Sequence, residues 1–310
     1  MNRLAGIGLA AIGVLIILAG VLKVAPGATG SGVWAIFAGI VIIGLSFIKG
    51  PDPEDTPRES TASTLTGVIF SPGETFRNLR RHPRWMVAVI IMTIVSTIFT
   101  SLFFYRLTPE RITNFTLDKT LESSFVAGNE EAKKQIESQR PDAIAVAKNP
   151  VTRAAGSVGL FSQYTVAIAI LAAVFFLFVL VMGGKLNYIQ AFAATAYAWF
   201  PVSIIRSVLS TIVLFIKDPN QIHPLLGQQG GLISDNLSFL VTPSQSPALY
   251  TLLGGLSLIS FYWLWLNATG LKETGERVTS GSAWISTITV WIIGILLGVA
   301  MAFMFPSFMS

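Results

Sequence analysis

About seven long apolar runs, separated by polar stretches, leave this chain few ways to fold in water. They cover residues 4–24, 33–48, 85–105, 164–182, 188–216, 248–266 and 283–305. A helix that crosses a bilayer needs about 20 apolar residues. Charged residues make up only 12% of the 310-residue chain, against roughly 25% in a soluble domain. Such a chain cannot clothe a water-facing surface of normal polarity. The fold class expected is all-α: a polytopic membrane protein with about seven transmembrane helices.

Arg3 before the first run also fits a secretory leader. The second run follows at once, however, across Pro26, Gly27, Gly30 and Gly32. Residues 1–48 therefore read as a transmembrane hairpin. Residues 49–65, rich in proline, acid and hydroxyl side chains, read as a polar linker. Residues 66–310 form the main membrane domain. It has five spans and a polar insertion at 106–156, for which helices opening at Thr108 and Glu130 and bounded by Pro141 and Pro150 are expected.

Lysine and arginine flank the spans unevenly. With the N-terminus inside, the inner segments hold Arg3, Lys49, Arg58, Arg77, Arg80, Arg81, Arg84, Lys185, Lys272 and Arg277. The short outer segments hold only Lys23 and Lys217. The positive-inside rule then gives an N-inside, C-outside orientation. Net charge is +5. With no arginine-rich arm carrying interleaved aromatics, it points to membrane lipids of anionic type and not to nucleic acid. Protein partners at the cytoplasmic face are a further expectation.

Chemistry-bearing motifs are few. There is no cysteine, which excludes disulfides and thiolate metal sites. His82 and His223 lie far apart, and each is next to a proline. No phosphate-cradling loop, zinc-protease motif or nucleophile elbow is present. No catalytic residue, metal ligand or cofactor is expected. All the acidic residues fall between the runs, so no intramembrane carboxylate relay is visible.

Two candidate sites remain. The first is the segment with Arg77, Arg80, Arg81 and Arg84. Ser71 with Glu74 reads as a capping box, and Pro72 stands at the favoured first helical position. Phe76 and Leu79 lie one turn apart among the arginines. That pattern predicts an amphipathic helix in the headgroup layer, apolar side down. The second is an intramembrane polar site of Pro201, Arg206, Gln190 and Asn267. Proline removes a helical hydrogen bond, and Arg206 is the one charge deep in a run. Arg206 reads either as an anion or headgroup site, or as a snorkelling side chain on a helix that ends near Thr211. Gly294 and Gly298 have the small-xxx-small spacing of close helix packing.

The run Gly67-Val-Ile-Phe-Ser-Pro-Gly-Glu-Thr-Phe-Arg-Asn-Leu, followed by His82-Pro-Arg-Trp85, resembles the start of a Yip1-domain protein. So do Gly183-Gly184-Lys185, Gln190-Ala-Phe-Ala, Ala196-Tyr197 with Pro201, and Gly270-Leu271-Lys272 before the last span. The resemblance covers about residues 66–305. It implies five spans with a cytoplasmic N-terminal side, and no catalytic residues. Eukaryotic members act in vesicle traffic and associate with prenylated Rab GTPases. This chain departs from them before Thr66, where it has a membrane hairpin. The departure implies a prokaryotic member in the cytoplasmic (inner) membrane, and the Rab role does not carry over. The expected function is non-enzymatic: membrane organisation, or recruitment of partners or lipids. The alternative is a transporter or lipid-handling protein with its site near Pro201 and Arg206.

Overall fold

A computed structural model describes residues 2–51, 57–123, 125–226, 232–233, 235–243 and 245–305. Part of the expected linker, and Gly227, Gly230 and Gly231 of the polar stretch between the fifth and sixth runs, lie outside the described residues.

The described chain is helical. Its order is α1 (Asn2–Val21), α2 (Thr29–Leu45), α3 (Thr61–Phe70), α4 (Pro72–Arg81), α5 (Met86–Leu107), α6 (Pro109–Glu122), α7 (Glu130–Lys148), α8 (Pro150–Val181) and α9 (Tyr188–Ile216). The single turn α10 (Pro224–Leu226) precedes α11 (Pro247–Gly255), α12 (Leu258–Thr274) and α13 (Ser280–Met304). By length and composition α1, α5, α8, α9 and α13 can each cross a membrane. The other two expected spans differ. At 17 residues α2 reaches roughly 26 Å, short of a hydrocarbon core of about 30 Å. The sixth run is divided between α11 and α12.

Other boundaries also moved. α8 begins at Pro150, well before Tyr164, because proline is favoured at a first helical position and Asn149 caps the turn through the Val151 and Thr152 amides. α7 runs straight through Pro141, which was expected to bound it. That helix buries no side chain, so the proline ring is accommodated at the surface.

The chain divides into two compact units, and α5, α8, α9, α12 and α13 each contribute to both. The first comprises Met1–Ile94, Ala154–Ile204 and Tyr262–Trp291. Small residues bring its helices close around buried large side chains such as Phe175, Phe192 and Tyr197. In the hairpin, Gly6 faces Gly39 and Gly13 faces Gly32. A Cβ on Gly13 would stand 2.6 Å from the Gly32 carbonyl oxygen, and one on Gly39 would stand 2.7 Å from that of Gly6. Gly32 is therefore a helix-packing residue and not part of the turn. The hairpin also meets α8: Ala25, Ala28 and Ala155 form one cluster, and Ser31 sits against Gly159. In α9 every residue from Ala191 to Ala198 is buried. Six of those eight are alanine or threonine, so neighbours approach the helix from all sides.

The second unit comprises Val95–Arg153, Ile205–Phe261 and Ile292–Ser310. Large side chains organise it. Phe99, Phe103 and Leu107 line one face of α5, and Ile112, Leu214, Ile222 and Leu232 complete their cluster. Arg111 donates to the carbonyls of Pro219 (2.8 Å) and Ile222 (3.4 Å). Arg140 joins α7 to α6 through Asp118 (2.7 Å) and Asn114 (3.2 Å), and also bonds Glu137. Both acids stabilise its guanidinium and raise its pKa. Gly298 packs on Thr251, while Gly294 faces open space. The small-xxx-small pair is thus half used, within the chain.

Candidate functional site: the arginine segment

The expected helix forms over Pro72–Arg81, with Pro72 in its first turn. The expected capping box does not. Ser71 makes no side-chain cap bond, because its backbone also ends α3, donating its N–H to the Gly67 carbonyl at 2.7 Å. The cap falls one helix earlier, where the Ser60 hydroxyl accepts from the Ser63 amide.

The apolar side of α4 is covered by protein and not by a headgroup layer. Phe76 and Leu79 are both 0% exposed. The Phe76 ring rests on Gly270 of α12, where an added Cβ would stand 3.1 Å from it. An apolar pair one turn apart can be buried by lipid or by protein, and here a glycine opens the protein to it.

The arginines are positioned from the same side. Arg77 Nε donates to Glu273 (3.0 Å) and Arg80 Nη2 to Glu276 (2.9 Å). The acids repeat the arginines' spacing of three residues. That match was present in the sequence, but residues 272–277 read as a short loop and the pairing was missed. The hydrogen bond and charge of Arg80 hold the Glu276 carboxyl below its ordinary range, and Arg81 and Lys185 add to this. Glu276 and Lys185 also exchange backbone hydrogen bonds of 2.7 and 2.6 Å, joining the α8–α9 link to the α12–α13 link. Arg84 Nη2 bonds the Ser60 carbonyl (3.3 Å) and the Thr64 hydroxyl. Burial lowers the Arg84 pKa. Trp85 is 2% exposed, its ring edge-on to Phe192 at 4.9 Å.

Among the described residues no hydrogen bond joins the four residues proposed from sequence as an intramembrane site. Gln190 belongs to the arginine segment. Its Oε1 accepts from the Asn187 amide while Asn187 Oδ1 accepts from the Ile189 amide, a reciprocal cap on α9. Gln190 Nε2 then donates to the Arg80 carbonyl at 2.8 Å. Asn267 is buried but turns onto its own helix, donating to the Trp263 carbonyl at 2.9 Å. Pro201 is buried inside a continuous α9. Arg206 is half-buried on the same helix, which runs on to Ile216 and does not stop near Thr211.

An all-helical chain with several long apolar helices, tied at their ends by charged and capping residues, is a polytopic integral membrane protein. The Yip1 domain model matches residues 66–301, and the chain belongs to the Yip1 family. No curated protein matches it, and no solved structure matches it.

Proposed function

We propose that this Yip1-family protein is a non-enzymatic membrane organiser of a prokaryotic inner membrane. In this reading the arginine segment recruits anionic lipid on the cytoplasmic side. One observation carries it. Between Asn78 and Trp85, three N–H donors are buried with no hydrogen-bond partner among the described residues: Arg80 Nε, Arg84 Nε and Trp85 Nε1. Buried donors left unmade are costly, by about 1–3 kcal/mol each. Two belong to guanidiniums, and their natural complement is an acceptor-rich anion such as a phosphodiester. The Arg77 side chain is 64% exposed even in its ion pair. Surface pairs contribute only about 0–1 kcal/mol, so a phosphate can compete for it.

A second reading rests on Arg206. It makes no hydrogen bond or ion pair among the described residues, and α9 continues for ten residues beyond it. That is roughly 15 Å of helix, too far for the end of the helix to relieve the charge. An anion or headgroup held there would make this a lipid-handling protein or transporter.

Native mass spectrometry separates the readings. The full chain in mild detergent is offered phosphatidylglycerol, as wild type, Arg84→Gln and Arg206→Ala. Loss of retained lipid in Arg84→Gln alone supports recruitment. Loss in Arg206→Ala alone supports the intramembrane site. Unchanged retention in both variants rejects both.

A further inference from the structure

The sixth apolar run is broken by design of its sequence. α11 ends at Gly255, Leu256 leaves the helical region (φ −88°, ψ 68°), and α12 starts at Leu258. A helix interrupted in an apolar run exposes amides that lipid cannot satisfy. Here the chain before α11 supplies the partners. Asp235 Oδ2 accepts from the Ile259 amide at 3.0 Å, and the Asp235 carbonyl accepts from the Leu258 amide at 3.2 Å. The Ser257 hydroxyl accepts from the Ser260 amide at 2.9 Å, and Asn236 pairs with Ser257 across an isolated bridge. An acid from a polar stretch is thereby brought to the start of an apolar helix, although no acid lies in any apolar run.

Beside the break lies an open cleft of about 510 Å³. Asp235 and Asn236 line it with Leu237, Phe239, Leu258 and Phe261. Small-molecule sites span roughly 300–1,000 Å³, with mostly apolar walls and a few convergent polar groups. This cleft meets that description. Among the described residues its one charged liner is the Asp235 carboxylate. Phe239 and Leu258 are 70% and 75% exposed, so the apolar wall is open to an incoming ligand.

We infer that the cleft binds the organic ammonium head of an amphiphile, with the hydrocarbon stem along Leu237 and Leu258. A carboxylate offers about four acceptor positions, and the Ile259 amide takes one. An ammonium group satisfies the remainder, and phenyl faces attract a cation within about 6 Å of the ring centre. An anionic head is repelled by the same carboxylate. The selectivity is opposite to that of the arginine segment, so this inference stands whether or not that reading holds. Two sources share the chemistry: an ethanolamine lipid, and a free long-chain amine.

Asp235→Asn separates charge from structure, because the asparagine Oδ1 can still accept from the Ile259 amide. The full-length protein in mild detergent is titrated with dioleoyl-phosphatidylethanolamine, dioleoyl-phosphatidylglycerol and hexadecylamine, and complexes are counted by native mass spectrometry. In an Arg84→Gln background, which removes the glycerol-lipid site proposed at the arginine segment, the protein with Asp235 intact is expected to retain the ethanolamine lipid or the amine at least tenfold better than the glycerol lipid. Asp235→Asn should lose that preference with its melting temperature unchanged. Retention of both cationic heads, lost together, assigns lipid and free amine to one site. Retention of hexadecylamine alone assigns the free amphiphile. If Asp235→Asn melts early, Leu258→Trp, which fills the cleft from an exposed position, must remove the same binding. Equal retention of glycerol and ethanolamine lipids, or a preference surviving in the folded variants, overturns the inference.

Discussion

The two compact units are held together by different means. In the first, backbones approach through glycine and alanine: Gly13 on Gly32, Gly159 on Ser31, Phe76 on Gly270. In the second, Phe99, Phe103, Leu107 and Leu214 fill space with bulk, and arginines bind carbonyls and acids around them. Between helices in a membrane there is little hydrophobic driving force, so close van der Waals contact of small residues must serve. Large side chains with a polar rim suit segments that border water. The glycine contacts of the first unit should therefore tolerate added volume poorly, and the aromatic cluster of the second should tolerate lost volume poorly.

The largest effect should come from removing bulk. Phe103→Ala opens a cavity in the second unit and should cost about 3–5 kcal/mol, read as a lowered melting temperature in detergent. A small loss there would dissolve the contrast. Next comes added volume in the first unit. Gly13→Ala places a methyl against the Gly32 carbonyl and should cost about 1–3 kcal/mol. Gly8, whose added Cβ meets nothing within 4 Å, should instead be neutral or gain up to about 1 kcal/mol as alanine. Equal behaviour of the two glycine variants would show that the hairpin packs on another face.

Smaller effects test the polar ties. Gln190→Ala removes a cap and the bond to the Arg80 carbonyl, and should cost about 1–2 kcal/mol. Hydrogen exchange at the Asn187 amide should accelerate with it. Arg77→Ala should cost no more than about 1 kcal/mol, and less as salt is raised. The weakest effect is that of pH. Glu276 has a lowered pKa in the folded protein. Its pair with Arg80 stabilises fully above the ordinary carboxylate value of 4.5 and is lost as pH falls through the depressed value. Thermal melts should thus be flat from neutral pH to about pH 5, with any loss through this pair confined below. Loss of stability between pH 7 and 5 that Glu276→Gln abolishes would contradict the assignment.

Much of the fold could be read from the apolar runs, because hydrocarbon thickness fixes their length. The start of α6, capped by Thr108 with Pro109 in its first turn, followed from proline and capping chemistry. What escaped the sequence were relations between distant segments. The spacing of Arg77 and Arg80 is complementary to Glu273 and Glu276 only once α4 and α12 are known to be neighbours. Phe76 and Leu79 announced an amphipathic helix, but periodicity does not say whether lipid or Gly270 covers it. Gln190 looked like a polar residue in a span because its cap with Asn187 lies at the first turn of a helix whose start was set by the apolar run. Asp235 was dismissed as a loop acid, since nothing local shows that its loop returns to the Leu256–Ser257 break.

The unequal lengths of the helices have a consequence for the membrane itself. At 32 residues α8 extends roughly 48 Å, while α2 extends roughly 26 Å. A hydrocarbon layer that thickens by a few ångströms finds spare rod in α8, which can be drawn inward. It finds none in α2, which must be met by local thinning or by lengthening its flanks. Anchored through Ser31 to Gly159, the short helix cannot tilt away freely. Where α2 crosses the bilayer, it and not α8 sets the thickness the protein tolerates, and stability in lipids of graded chain length should fall on the long side first.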